Sequence, residues 1–492
     1  MTGEHMNKSA LRHRKGFAVI LTTLSLVLLV PMVGLAIDVS VLYMIRAKLS
    51  GAVDAAVLAG AQSLANGGDP GTQKANAQDA ATRFFNANFP SGYWGTTNVT
   101  FPAPTIDDTS AVNYRTVSAT ASATAPLYFL RVFGTDTTTV ATSAQAGRRD
   151  ALVMLVLDRS GSMNNPFQGT TACAIMKQDA AQFLTYFAPG RDMLGLVIFG
   201  ASSFVYAPTT SFDKPDANGN TVASLIGQIN CGGNTNTSGG VQQAYNQIQA
   251  IGSTTRTNVI VLMTDGRPNG FVADYTNLRI NPGSCDAAGK PLVGVIAQWA
   301  GGPKVTGTTA GVMNYLNNSA STSTETATAN SGGCQFAGGD LTKMPGDISA
   351  MPPNDFYGNA LAGPYSVNNP NFPYNNLAAN LSTVTSPRQI VVAGTNALDN
   401  EGTKIRTDTV LSPSIYTIAL EGNDPNDPPD TLLLRKLAND PSMETDPDPT
   451  AQTFFQQQKG QTTGYFADAP DPSQLAAAFN SVATQIVVRL AR

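Results

Sequence analysis

Residues 151–162 read ALVMLVLDRSGS. An unbroken apolar run, Ala151 to Leu157, ends in Asp158 and then in polar turn-forming residues. A short apolar run bounded this way reads as a strand buried on both faces, the mark of a parallel strand in an α/β sheet. A second run, Val259 to Met263, leads into Thr264, Asp265 and Gly266. Between the two lies Gly233-Asn234-Thr235-Asn236, just before a helical pattern from Gly239 to Ile251. Open α/β sheets bind ligands in the crevice beyond the carboxyl ends of their strands. The three loops therefore offer Asp158, Ser160, Ser162, Thr235 and Asp265 as one set of candidate metal ligands. The donors are hydroxyls and carboxylates, with no thiolate or imidazole among them. Hard oxygen donors of this kind suit Mg²⁺ first, with Mn²⁺ or Ca²⁺ as alternatives.

The flanking sequence alternates strand and helix. Ala172 to Phe187 reads as an amphipathic helix, Leu194 to Phe199 as a buried strand, and Ser203 to Tyr206 as an edge strand. Thr221 is placed to cap a short helix carrying Val222, Leu225, Ile226 and Ile229. Ile415 to Leu420 is a further strand, Thr431 to Leu437 a helix, and Ser473 to Leu490 a closing helix. The expected fold class is α/β, a doubly wound, mostly parallel sheet with flanking helices over 150–492. The pattern dissolves between Gly270 and about Asp399, where Gly, Asn, Pro, Ser and Thr dominate. This long insertion at about 270–399 reads either as a ligand-selecting lid or as a variable decoration. Two Asp-rich loops, Asp424 to Asp430 and Asp446 to Asp448, read better as solvated turns than as Ca²⁺ sites, since they lack EF-hand spacing.

At its three loops the chain resembles the von Willebrand factor type A (vWA) domain with its metal-ion-dependent adhesion site. That family's pattern is D-x-S-x-S, then a Thr, then an Asp, and all five positions are intact here. The resemblance implies that the Ser and Thr hydroxyls touch the metal directly and that the Asp residues act through water. It also implies a protein partner whose acidic side chain completes the coordination, and binding rather than catalysis. The plainer reading is a vWA fold without metal, in which Asp158 caps the next helix.

Gly16 to Ile37 is apolar and free of charge, long enough for a helix to cross the ~30 Å hydrocarbon core. Arg12, Arg14 and Lys15 precede it. The positive-inside rule then leaves residues 1–15 cytoplasmic and exports everything after Asp38. The expected location is the bacterial inner membrane, single-pass, with the bulk periplasmic or extracellular. The rival reading is a cleaved signal peptide ending near Gly34-Leu35-Ala36. Against it, the helical pattern continues through Val39, Leu42, Ile45, Leu49, Val53, Val57 and Leu64.

This stretch resembles the N-terminal region of TadG-like proteins of the Tad/Flp pilus-assembly group. The matching text is Gly34-Leu35-Ala36-Ile37-Asp38, Tyr43, Arg46-Ala47-Lys48-Leu49 and Asp54 to Gly60. It implies pilus-assembly machinery as a further partner. Type IV pilins also begin with such a helix after Gly-Phe, but Leu21 stands where they usually place Glu, which argues against processing as a pilus subunit. Residues 16–66 are read as the span and its exported continuation. Residues 67–149 are read as a small α+β module, with a helix from Ala75 to Asn88 and β-rich stretches near Asn98–Phe101, Val112–Ala123 and Thr137–Ala146. Leu127 to Phe133 interrupts them, and its ending, Arg131-Val132-Phe133-Gly134, again resembles TadG-like proteins.

At 492 residues the chain is long enough for two or more domains. Its net charge of -4 and the lack of a basic block make nucleic acid an unexpected partner. The only histidines, His5 and His13, precede the span. The exported part therefore cannot build a Ser-His-Asp centre or an H-E-x-x-H zinc site, and no enzymatic activity is expected. A metal-assisted hydrolase and a purely structural envelope protein are the alternatives. The four cysteines, Cys173, Cys231, Cys285 and Cys334, favour two disulfides in an exported domain. Three pairings are open. Cys173 with Cys231 is preferred because that bridge would hold two metal loops together, leaving Cys285 with Cys334 inside the insertion.

Overall fold

The computed structural model describes residues 9–275, 293–299, 308–309, 314–322, 351–363, 388–422 and 428–490. Its first element, helix α1 (Ser9–Ser63), changes character at Asp38. From Val19 to Ile37 the large apolar side chains are exposed on every side. The hydroxyls of Thr22, Thr23 and Ser25 turn back onto the carbonyls of Val19 and Leu21 at 2.8–3.0 Å, so no side-chain donor there looks outward. Beyond Asp38, Val41, Ile45, Leu49, Ala52, Val53 and Ala56 bury one stripe, at the spacing of an amphipathic helix. α1 is long and apolar enough to cross a membrane, by length and composition.

The buried stripe belongs to the module that follows. It packs with helix α2 (Pro70–Asn88) on a sheet of β1 (Thr97–Thr100), β2 (Thr105–Asp107), β3 (Tyr114–Pro126) and β4 (Thr137–Arg149). Asp69 caps α2, accepting from the amides of Gly71 and Thr72. The core face of β3 is Val117, Ala119, Ala121, Ala123 and Ala125; short side chains let α1 and α2 approach the sheet closely. β3 and β4 pair antiparallel along their full lengths, from Tyr114↔Arg149 to Pro126↔Thr137. The expected strand start at Val112 moves to Tyr114, with Val112 left exposed, and the three-residue β2 is too short to show in the sequence.

β4 runs through Asp150 directly into β5 (Ala151–Asp158), the centre of the second unit. After β5 come the small hairpin β6 (Pro166–Phe167) and β7 (Thr170–Thr171), then α3 (Ala172–Phe183), β8 (Met193–Phe199), β9 (Ser203–Thr209), α4 (Val222–Gln228) and α5 (Thr237–Ile251). β10 (Thr257–Thr264), β11 (Gly270–Asp274), β12 (Val293–Trp299), β13 (Thr308–Thr309), β14 (Leu316–Asn317) and α6 (Arg388–Arg406) follow. The chain closes with β15 (Ser414–Leu420), α7 (Thr431–Ala438), α8 (Pro449–Gln457), β16 (Tyr465–Ala469) and α9 (Leu475–Leu490).

The main sheet has the order β14-β9-β8-β5-β10-β15-β16. Only the β8–β9 pair is antiparallel. Alternate residues of β5 face opposite cores. Val153, Leu155 and Leu157 meet Met176 and Phe183 of α3 and Phe479 and Val482 of α9. Leu152, Met154 and Val156 meet Val241 and Ile248 of α5, Val391 of α6 and Leu434 of α7. Both faces are covered, as a doubly wound sheet requires.

The second unit also differs from the sequence reading. Ser203–Tyr206 extends to Thr209 and is not an edge, because the short β14 pairs outside it. The segment expected to lack regular elements holds the β11–β12 hairpin and the start of α6, packed together through Phe271, Ile296, Ile390 and Ala393. α6 is hard to see because Gly394, Asn396, Asn400 and Gly402 have low helix propensity and Thr395, Asn396 and Glu401 are polar yet buried. β16 is a short, half-buried edge strand, too short for its apolar pattern to stand out in the sequence.

Candidate metal site at the carboxyl edge of the sheet

Strand order fixes the place of the site. The chain runs from β5 outward to β8 and β9, then returns to β10 on the other side of β5 and continues to β15 and β16. The crevice beyond β5 and β10 is therefore the topological switch point. β5 ends at Asp158 and β10 at Thr264, so Asp158 and Asp265 meet there.

Asp158 ties the two strand ends together. Its Oδ1 accepts from the Ser160 amide at 2.7 Å, and its Oδ2 accepts from the Thr264 hydroxyl at 2.6 Å. Burial pushes the Asp158 carboxyl above its usual range, and the donors from Thr264 and Ser160 oppose that shift. A cation beside a buried carboxylate would favour the charged form. The hydroxyls of Ser160 and Ser162 lie 3.0 Å apart. Asp265 Oδ1 accepts from Ser162 Oγ at 2.8 Å and from Ser160 Oγ at 3.3 Å. Three oxygens from two loops thus form one small triangle. These are hydrogen-bond separations, and they equally match the ~3 Å edge between neighbouring oxygens held octahedrally at about 2.1 Å from Mg²⁺. The residues present fit a small, hard divalent cation.

Thr235 is held to the same edge through its backbone. Its amide donates to Asn269 Oδ1 at 2.6 Å, and its carbonyl accepts from the Asn269 amide at 2.8 Å. Asn269 follows β10, so the Thr235 loop is fastened to the Asp265 loop. The Gly161 amide donates to Gly233 O at 2.9 Å, and the Gly232 amide to Arg159 O at 2.6 Å, joining the Ser loop to the Thr loop. Asn236 caps α5, accepting from the Gly239 amide at 3.1 Å. A Cβ at Gly240 would sit 2.9 Å from the Phe199 ring, so only glycine lets the start of α5 lie this close to β8.

The Cys173–Cys231 disulfide closes the arrangement, with 6.3 Å between Cα atoms. Cys173 lies in the first turn of α3 and Cys231 just before Gly232. Asn164 Nδ2 also donates to Cys231 O at 2.5 Å. The expected Cys285–Cys334 pair lies outside the described residues. So does most of the loop from Asp424 to Asp430, apart from Pro428, Pro429 and Asp430; Asp430 caps α7. Asp446 pairs with Arg435 at 2.5 Å and accepts from the Asp448 amide, while Asp448 caps α8; both are structural turns.

Sequence reasoning gave no role to Arg159, Thr264 or Asn269. Arg159 is buried, its guanidinium donating to Thr322 O, and its amide donates to Phe199 O at 2.8 Å. An arginine inside a D-x-S-x-S loop at the mouth of a buried sheet was the available signal. Among the described residues no cluster of three or more His, Cys, Asp or Glu side chains could hold a metal. The candidate donor set therefore depends on hydroxyls.

Comparison with known proteins bears on two separate stretches of the chain. The family model for the von Willebrand factor type A domain matches residues 153–267. That for the Flp pilus-assembly TadE/G-like family matches residues 16–63. No curated protein matches. Among solved structures, the PilB minor pilin from Streptococcus sanguinis is similar at 15% identity and TM-score 0.36, over 80% of this chain and 79% of that one. The vWF domain of the type V pili tip protein Mfa5 from Porphyromonas gingivalis is similar at 17% identity and TM-score 0.33, over 70% and 97%. The pilus adhesin SpaC from Lactobacillus rhamnosus GG is similar at 12% identity and TM-score 0.33, over 80% and 34%. The chain thus joins a TadE/G-like N-terminal region to a von Willebrand factor type A domain, the arrangement of a TadG-like vWA protein.

Proposed function

We propose that this chain is a membrane-anchored envelope protein whose vWA head binds a protein partner through a metal-dependent adhesion site, in Tad/Flp pilus assembly or adhesion. One observation carries the reading: Ser160 Oγ, Ser162 Oγ and Asp265 Oδ1 converge within 2.8–3.3 Å at the switch point of the sheet. Ser160, Ser162 and Thr235 would hold the ion through their hydroxyls, and Asp158 and Asp265 would balance its charge. A bound divalent cation supplies a Lewis-acid centre able to take a carboxylate from a partner. The disulfide and the Gly161–Gly233 and Thr235–Asn269 bonds keep the three loops in register, so little order has to be gained on binding.

The anchor is the exposed apolar part of α1, and the positive residues before it support a cytoplasmic N-terminus. The match of residues 16–63 to the TadE/G-like family supports pilus-assembly machinery as the setting. Isothermal titration of the detergent-solubilised chain with Mg²⁺ tests the site. The parent should take up one ion, and Asp265→Ala should weaken uptake by roughly tenfold or more, with an unchanged circular-dichroism spectrum. Equal uptake by both would remove the basis of the adhesive reading. Capture of pilus-assembly components that stops with chelator would extend it to the partner.

A further inference from the structure

The β3–β4 hairpin ends in a tip, Leu127 to Asp136, closed by a 2.9 Å bond from the Leu127 amide to Asp136 O. This tip lies against α1 where the exposed apolar stretch ends. Asp38 accepts from three successive tip amides, Tyr128 at 2.8 Å, Phe129 at 3.1 Å and Leu130 at 2.8 Å. Four residues earlier on the same face, a Cβ on Gly34 would lie 2.1 Å from the Phe129 ring. The ring therefore sits in a notch left by the missing side chain, one helical turn inside the apolar stretch.

Such anchoring sets the height of everything else on the tip. Leu130–Phe133 form a single helical turn whose Val132 and Phe133 are 75% and 66% exposed. Phe133 touches Phe129 at 6.1 Å between centroids, which holds it near the level of Gly34. Tyr128 and Trp94 stand beside them, both exposed, with the Tyr128 hydroxyl donating to Trp94 O at 3.3 Å. Arg131 on the tip is exposed, as are Tyr43, Arg46 and Lys48 on α1 just above Asp38. Apolar side chains at the depth of the span, ringed by aromatic and basic ones slightly higher, match the layering of a bilayer interface.

We infer that the Tyr128–Gly134 tip is a membrane wedge: Val132 and Phe133 enter the outer leaflet beside α1, while Arg131, Tyr128 and Trp94 meet the headgroups. The inference rests on the membrane-anchor reading of α1, and its surface is continuous with that helix. Asp38 is then the joint that fixes the wedge at its depth, and the module has two points of contact with the bilayer instead of one.

The test uses the full chain in lipid nanodiscs, with Trp94→Phe and Trp299→Phe removing the native indoles. Single probes are introduced as Phe133→Trp, Leu28→Trp and, as an aqueous reference at the exposed base of the head, Val410→Trp. Quenching is read with lipids brominated near the headgroup and near the chain end. The wedge predicts that Phe133→Trp loses about half its emission to the shallow bromines, less to the deep ones, and is shielded from iodide. Leu28→Trp should respond most to the deep bromines, and Val410→Trp to iodide alone. If Leu28→Trp responds while Phe133→Trp is open to iodide, the wedge is wrong and the anchor stands. Phe133→Trp shielded from both quenchers would also overturn it and indicate a protein over the tip. Silence at Leu28→Trp would remove the anchor and the wedge together.

Discussion

Glu401 shows how one buried group can make stability depend on pH. It lies wholly buried on α6, where its Oε2 accepts from Asn359 Nδ2 at 2.6 Å and faces Lys404 Nζ at 3.5 Å, while its Oε1 has no hydrogen-bond partner among the described residues. Burial raises its carboxyl to about 7, against the pull of Lys404 and Asn359 and with a push from Asp355. The folded state thus holds this proton more tightly than the unfolded chain, whose ordinary value is 4.5. The stabilisation is fully present below pH 4.5 and is lost as pH rises through about 7, a loss of roughly 3 kcal/mol. Glu401→Gln should flatten the dependence and stabilise the protein at high pH. Apparent unfolding midpoints of the two proteins at mildly acidic and mildly alkaline pH check this; parallel slopes would contradict it.

Among the described residues, the stretch from Cys173 in α3 to Cys231 before α5 is closed by a covalent bond. The Cys173–Cys231 disulfide spans 58 residues, and removing it frees a loop whose closure entropy is about 4 kcal/mol in the chain-entropy account. The same bond steadies Gly232 and Gly233, whose backbones meet Arg159 and Gly161 at 2.6 and 2.9 Å. Cys173→Ser with Cys231→Ser should therefore lower the unfolding midpoint and also weaken Mg²⁺ uptake. A drop in stability with unchanged uptake would show that the three loops are held without the bridge. Elements of this unit were legible in unequal measure. Thr221 and its helix were readable because a capping box is local. The helix α6 was not, because its glycines are explained only by what they pack against: a Cβ on Gly402 would lie 2.3 Å from Leu437.

The whole molecule runs from the apolar part of α1 through the α+β module, a spacer, to the vWA head. α1 beyond Asp38 and the β3–β4 hairpin run side by side, each about 40 Å long at the rise of its own element. Arg115 near the hairpin base donates to Leu64 O at 3.1 Å, just past the end of α1. At that base the spacer meets the head in a buried ionic cluster. Arg148 on β4 forms a two-pronged pair with Asp192 at 2.6 and 3.3 Å, and both are fully buried. Asp192 also accepts from the amides of Ala151 and Ala188 at 2.8 and 2.7 Å. Arg191 pairs with Asp150 at 3.0 Å, and Arg115 bonds Gln73 at 2.8 Å. Asp192→Ala strips Arg148 of its two-pronged partner, leaving it only Asp150 at 3.6 Å, and should cost about 3 kcal/mol. Hydrogen exchange should then speed up in β4 and the first residues of β5, the hinge between spacer and head. Unchanged exchange there would mean that the backbone pairing alone sets the head on its spacer.

The sequence by itself determined the central strands of the sheet, the polar residues of the loops that leave them and the apolar helix, since each is written in neighbouring residues. A run as short as Ala151 to Leu157, bounded by turn-forming residues, reads as a strand buried on both faces, and Asp158, Ser160 and Ser162 then lie at its end and on the loop that leaves it. The tertiary structure decided which distant groups meet. It drew Ser162 to within 2.8 Å of Asp265, selected Cys231 for Cys173, turned Asp192 toward Arg148 and set Phe129 on Gly34. These contacts join residues tens to about a hundred positions apart, and their geometry depends on the packing of whole helices and sheets, which no local pattern of side chains encodes.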